Sequence, residues 1–255
     1  MSSNESFRTR LKRGDLLIGT VVSLAAPAVS EVLVDAGLDW LFVDLEHSPM
    51  GIIEAQVIQQ TVGDKAACVL RLPLNDEIWI KKALDTGVAG IMLPQVNSKE
   101  DAARAVRLSK YPPQGSRSIG AARANGYGAH ITDYVARANS DAAIIAQVES
   151  IDAVRNVESI LAIDGLDGVL VGPFDLSASM GLIGQVEHPE VQSAIARVRQ
   201  ACQARSVPLG IFTANTRLAK AYIAQGFTLI AVEADTILLD QATRDMLSDL
   251  HPGRL

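Results

Sequence analysis

Aromatic residues are scarce in this chain of 255 residues, at 4%, and cysteines number only two. Cys68 and Cys202 form no CxxC pair and have no histidine near them in sequence. That excludes a zinc cluster or a disulfide framework and leaves two buried core thiols as the expectation. No apolar run approaches the ~18 to 20 residues of a membrane span. Residues 1–14 form a polar leader without an apolar signal region, so a cytoplasmic protein is expected. The net charge is −6 with acids and bases interspersed, which leaves no basic face for nucleic acid. A GxGxxG turn is missing too. LLIGTVVSLAAP has the wrong spacing, and a dinucleotide fold loses support.

What the chain does have is apolar residues, 48% of the total, in short β-branched blocks. Eight such blocks recur, near 17–22, 40–45, 67–72, 90–93, 143–149, 168–172, 208–212 and 228–232. Amphipathic stretches such as 98–109, 189–205 and 235–249 lie between them. Strands that are apolar throughout need cover on both faces, which means a parallel sheet wrapped by helices. Eight repeats in about 250 residues favour one closed (β/α)8 barrel over an open doubly wound sheet. The interval 111–130 (YPPQGSRSIGAARANGYGAH) breaks the rhythm as a long Pro- and Gly-rich connection, and its Arg117 and Arg123 are candidates to meet an anion.

Chemistry in such barrels sits at the C-terminal strand ends. Those ends carry Asp44, Glu46 and His47, then Arg71, then Gln147 and Glu149, then Gly172, Pro173 and Asp175. Glu149 and Asp175 are one strand–helix–strand repeat apart, so they converge at one edge, a pairing suited to a hard divalent cation. Held there, such an ion would act as a Lewis acid on a 2-oxo acid, stabilising an enolate as a proton leaves the adjacent carbon. Arg71 would add positive charge at the same oxygen. His47 is the candidate for proton transfer, with Asp44 or Glu46 to orient its ring.

Two other chemistries lack their residues. The lysines Lys12, Lys65, Lys81, Lys82, Lys99, Lys110 and Lys220 fall in helices, loops or the leader, so none closes a strand to form a Schiff base. The loops after strands 7 and 8, FTANTR and AVEADT, have no glycine for a phosphate cradle.

The stretches DLEHSP, VLRLP, LDTGVAGIMLPQV, YPPQGSRSIG, QVES, GLDGVLVGPFDLSASMG and HPEVQ resemble the metal-dependent (class II) pyruvate aldolases. That is the family of 4-hydroxy-2-oxoheptanedioate and 2-dehydro-3-deoxyglucarate aldolases, and the resemblance runs from about residue 14 to 240. It implies a barrel of the phosphoenolpyruvate/pyruvate superfamily and a homohexamer, a dimer of trimers, with the 235–250 helix exchanged between subunits. It implies Mg2+, Mn2+ or Co2+ on Glu149 and Asp175, with Arg71 on the pyruvate enolate. His47 with Asp44 would relay the proton, and Gln147 with the backbone around Gly172, Pro173 and Phe174 would seat the 2-oxo acid. Phe174 is bulky where the family commonly has a small residue. A matching Asp85 would act in a neighbouring subunit's site. The partners implied are a small 2-oxo acid and an aldehyde. A CoA-ester lyase or decarboxylase on the same barrel is the alternative, and a non-enzymatic scaffold is the third reading.

Overall fold

In a computed structural model that describes residues 5–251, eight parallel strands close into a barrel in sequence order. They are β1 (Leu17–Val22), β2 (Trp40–Asp44), β3 (Ala67–Arg71) and β4 (Gly90–Leu93), then β5 (Ala143–Val148), β6 (Gly168–Val171), β7 (Leu209–Thr213) and β8 (Leu229–Ala234). Each predicted block forms its strand with bounds within a residue or two, because eight apolar blocks leave no other way to cover both faces. Both cysteines are free and buried.

Side-chain alternation sorts the core into two layers. Leu41, Val43, Leu70, Ile91 and Val169 point outward to the helices. Trp40, Phe42, Val69, Met92, Ile145 and Leu170 point into the lumen. Counting on by two from the lumen residues reaches Asp44, Arg71, Gln147 and then Glu149, and Gly172. Alternation alone therefore aims the polar strand ends inward. At the other pole Gly19 has to be glycine, since a Cβ would lie 2.4 Å from the Trp40 carbonyl oxygen and 2.6 Å from its indole nitrogen.

The segment predicted as a polar leader contains a helix, α1 (Phe7–Arg13), started by Ser6 and ended by Gly14 in the left-handed region. Its Phe7 and Leu11 enter the lumen from below, while Arg8 pairs with Asp167 at 2.7 Å and Arg10 with Asp39 at 2.7 Å. The polar pattern was correct for one face of this helix, and two apolar residues four apart suffice for the other. Residues 1–4 of that segment, like 252–255, lie outside the described residues.

Helices α2 (Pro27–Asp35), α3 (Ile52–Val62), α4 (Glu77–Asp85) and α5 (Lys99–Ser109) follow the first four strands. The Ser98 hydroxyl accepts from the Asp101 amide and caps α5. The interval 111–130 is ordered against the bottom of the barrel and leads into α6 (Ile131–Asp141). Then come α7 (Ile151–Arg155), α8 (Val157–Ile160), α9 (Pro173–Ser179), α10 (Pro189–Arg205), α11 (Thr216–Ile223) and α12 (Asp235–Leu250).

Helix α12 does not cover its own barrel. Only Asp235 is buried, its carboxylate accepting from the Ser23 and Leu24 amides and the Ser23 hydroxyl. Ile237, Leu239, Met246 and Leu250 are exposed, and an apolar cleft lined by Ile18, Leu33, Leu38 and Val232 stays open along the β1–β8 seam.

Candidate active site

A cavity of about 200 Å³ occupies the C-terminal mouth of the barrel. Its polar wall is His47, Arg71, Gln147 and Asp175, and Val21, Phe42, Leu170, Phe174 and Phe212 form the apolar wall. The sequence-predicted residues of β2, β3, β5 and β6 thus meet at one place.

Asp44 organises the first corner. It is 3% exposed, and its Oδ1 accepts from the Glu46 amide at 2.9 Å and the His47 amide at 3.2 Å. That is the turn chemistry of an aspartate, and it folds DLEH tightly over the strand end. Arg71 completes the corner through a two-pronged bond, Nε to Oδ1 at 2.9 Å and Nη2 to Oδ2 at 2.7 Å. Burial pushes the Asp44 carboxyl up, but Arg71 and the two amides outweigh it and hold it below the ordinary range. Asp44 meets His47 here through the His47 backbone amide, while its two oxygens also hold Arg71. The His47 ring lies instead beside Glu46, with Nε2 3.9 Å from Oε2.

Glu149 makes the second corner. Its Oε1 accepts from the Gln95 amide at 2.7 Å and its Oε2 from the Gln147 amide nitrogen. Burial pushes its carboxyl above the ordinary range, the Gln95 amide works against that, and Asp175 adds a second upward push. Gly172 lies against this pair, since a Cβ there would come within 3.3 Å of Glu149 Cβ and 3.4 Å of the Gln147 nitrogen. Asp175 stands exposed on the first turn of α9, at the cavity edge.

The donors present suit a hard cation. Glu149 is a desolvated carboxylate with no cationic hydrogen-bond partner, Gln147 Oε1 is buried without a partner, and both available charges are on oxygen. Among the described residues no three His, Cys, Asp or Glu side chains cluster around one point. Two carboxylates with room for water suit a hard divalent cation better than a closed zinc cage would.

Other predicted residues lie elsewhere. Asp85 ends α4 at the bottom pole, its Oδ1 2.6 Å from Arg117 Nη2. The Arg117 side chain is 2% exposed and lies over the Tyr111 ring, 4.6 Å from its centroid. Arg123 donates to the Thr86 carbonyl at 2.7 Å. The connection 111–130 is thus a clasp on α4, remote from the mouth of its own barrel. Beyond the predicted residues, the Ser177 hydroxyl accepts from the Gly184 amide and brings Gly184 against the Phe174 ring, and the Asn215 side chain caps α11. Sequence reasoning missed Gln95: its contribution is a backbone amide presented by a left-handed residue (φ 53°), which no side-chain pattern announces.

The HpcH/HpaI aldolase/citrate lyase family matches residues 17–242. The chain belongs to that family. A hydroxypyruvate/pyruvate aldolase of Paraburkholderia phytofirmans is 39% identical over 252 residues, 96% of each chain. A 4-hydroxy-2-oxo-heptane-1,7-dioate aldolase of Klebsiella pneumoniae is 40% identical over 240 residues, 92% of this chain and 90% of that one. The crystal structure of a family member from Burkholderia cenocepacia superposes with a TM-score of 0.92 at 37% identity, covering 95% and 98% of the two chains. The family expected from DLEHSP and GPFDLSASMG is borne out, and with it a carbon–carbon lyase on a (β/α)8 barrel.

Proposed function

We propose that this chain reversibly cleaves a 4-hydroxy-2-oxo acid into pyruvate, or a related 2-oxo acid such as hydroxypyruvate, and an aldehyde. The observation that carries this is the meeting of His47, Arg71, Gln147 and Asp175 in the wall of one cavity, with Glu149 directly behind Gln147 and Gly172. Glu149 and Asp175 would hold Mg2+, Mn2+ or Co2+, which when bound supplies Lewis-acid activation of the 2-oxo group. Arg71, fixed by Asp44, stabilises negative charge as it develops on the ketone oxygen. Gln147 and the Gly172–Phe174 backbone orient the 2-oxo acid. His47 takes the proton from the 4-hydroxyl as the carbon–carbon bond breaks. Val21, Phe42, Leu170, Phe174 and Phe212 wall the remaining space and keep water from the nascent carbanion.

Pyruvate release from a panel of 4-hydroxy-2-oxo acids tests the reading, in EDTA and after Mg2+, Mn2+ or Co2+ is restored. Turnover should vanish in EDTA and return with metal, and metal-independent turnover sinks the proposal. Among the described residues Arg71 is the one Lys or Arg in the cavity wall, so substrates with an uncharged aldehyde half should outperform those carrying a distal carboxylate.

The open seam and the exposed face of α12 support exchange of this helix between copies in a homohexamer, a dimer of trimers. Asp85 then has a use, because a bottom-pole carboxylate reaches a mouth only in another subunit. Sedimentation of Leu239→Arg/Met246→Arg should show smaller particles with cleavage lost. Smaller particles with full activity would remove Asp85 from the site.

A further inference from the structure

The apolar wall of the cavity has two depths. Phe42 and Leu170 are 2% and 1% exposed and make its floor, where the Arg71 guanidinium lies 4.9 Å from the Phe42 ring centroid. Phe174 is 56% exposed and belongs to the mouth. A 2-oxo acid seated on Arg71 fills the floor, and whatever lies above it meets Phe174. The space is small for two reactants. Its volume of about 200 Å³ is below the ~300 Å³ at which pockets for drug-sized molecules begin.

The Phe174 ring is also held in place. Pro173 opens α9, and the buried Ser177 hydroxyl donates to the Phe174 carbonyl at 2.6 Å and accepts from the Gly184 amide at 3.0 Å. One hydroxyl thus ties the first turn of α9 to the chain at Gly184. A Cβ on Gly184 would lie 3.6 Å from Phe174 Cε2, so backbone stands directly behind the ring. Asp175 follows Phe174 in the helix, but adjacent helical residues do not face one another. The ring is therefore free of the metal pair and faces the cavity on its own account.

We propose that Phe174, backed by Gly184, limits the bulk of the aldehyde at the carbon next to its carbonyl, which makes small unbranched aldehydes the partners of the enolate. This rests on the aldol reading given above and adds to it the class of the second substrate. The aldehyde carbonyl has to approach the donor carbon over the floor. That places its first substituent carbon against the ring. A straight chain continues out through the mouth, whereas branching next to the carbonyl collides with Phe174.

Aldol addition by the metal-loaded enzyme tests this, with pyruvate as the one donor and propanal or cyclohexanecarbaldehyde as acceptor. Because the donor is shared, any effect of a substitution on metal or pyruvate cancels in the ratio of the two kcat/KM values. The wild type should prefer propanal. Phe174→Ala should shift the ratio toward cyclohexanecarbaldehyde by at least about tenfold, the scale of a methylene gained or lost in an apolar pocket. Phe174→Leu should shift it partway. Deuterium entry into the pyruvate methyl group from D2O reports the donor half alone, and its change in Phe174→Ala should be smaller than the change in the ratio. An unmoved ratio overturns the assignment, and so does an exchange loss larger than the shift, which would make the ring a support for the donor site. Wild-type protein that neither exchanges the methyl group nor joins pyruvate to either aldehyde refutes the aldol reading and takes this wall with it. That result is distinct from active enzyme with an unmoved ratio.

Discussion

Arg71→Ala is expected to lower kcat/KM for aldol cleavage by at least about a thousandfold, the scale of losing a preorganised charge from a developing oxyanion. The fold will also register the change. Arg71 and Asp44 are a buried bidentate pair, and truncating one partner strands the other. Breaking such pairs costs roughly 3 to 5 kcal/mol, although Asp44 keeps its two backbone amides, so the lower end is expected. The buried ion pair with Asp44 is the reason to expect this loss of stability. Arg71→Ala/Asp44→Asn separates the two effects. Its melting temperature should rise above that of the single variant while cleavage stays absent. Restored cleavage in the double variant, or retained turnover in Arg71→Ala, would take Arg71 off the reaction.

Glu149→Gln should have the opposite relation between stability and activity. Glu149 is a carboxylate held in a buried place without a cation of its own, so metal-free protein tolerates it at a cost. The amide substitute fits, because the Gln95 amide still finds an oxygen and the orphaned Gln147 Oε1 gains a donor once that amide turns. Mn2+ affinity, read by electron paramagnetic resonance or calorimetry, should weaken by about a hundredfold or more as one of two anionic ligands is lost. Cleavage should disappear with it. Metal-free stability should hold or increase. The sign follows from linkage: the folded carboxyl binds protons more tightly than the unfolded one. It therefore stabilises the metal-free chain at pH below its unfolded value. That contribution is lost as pH rises from the unfolded value through the folded one. Wild-type stability relative to Glu149→Gln should decline across that interval, and unaltered Mn2+ affinity in the variant would refute the ligand assignment.

Much of this was legible in one dimension, for reasons that particular residues make plain. Alternation aims Asp44, Arg71 and Gln147 inward once Trp40, Phe42, Val69 and Ile145 are known to be lumen residues. The strand count then brings the ends together. What sequence could not show is how partners are shared. Whether Arg71 binds Asp44 or Glu46, and whether Asp44 meets the His47 ring or only its amide, depends on ångström-scale competition that spacing does not encode. The clasp of Arg117 and Arg123 on α4 was equally hidden, because a connection reveals its composition but not the pole at which it lies. Gln95 was invisible because its identity is irrelevant to the amide it offers.

In a chain so poor in aromatics, their placement in the lumen has weight. Phe7 lies 6.2 Å from Trp40, Trp40 5.9 Å from Phe42, and the Arg71 guanidinium 4.9 Å above the Phe42 ring. Among the described residues this column, corked by α1, closes the lower end of the barrel and leaves the mouth as the way in. Under the proposed cleavage, traffic through that mouth is ordered. The 2-oxo acid seated on Arg71 at the foot of the cavity leaves only after the aldehyde above it has gone, and in the reverse direction it enters first.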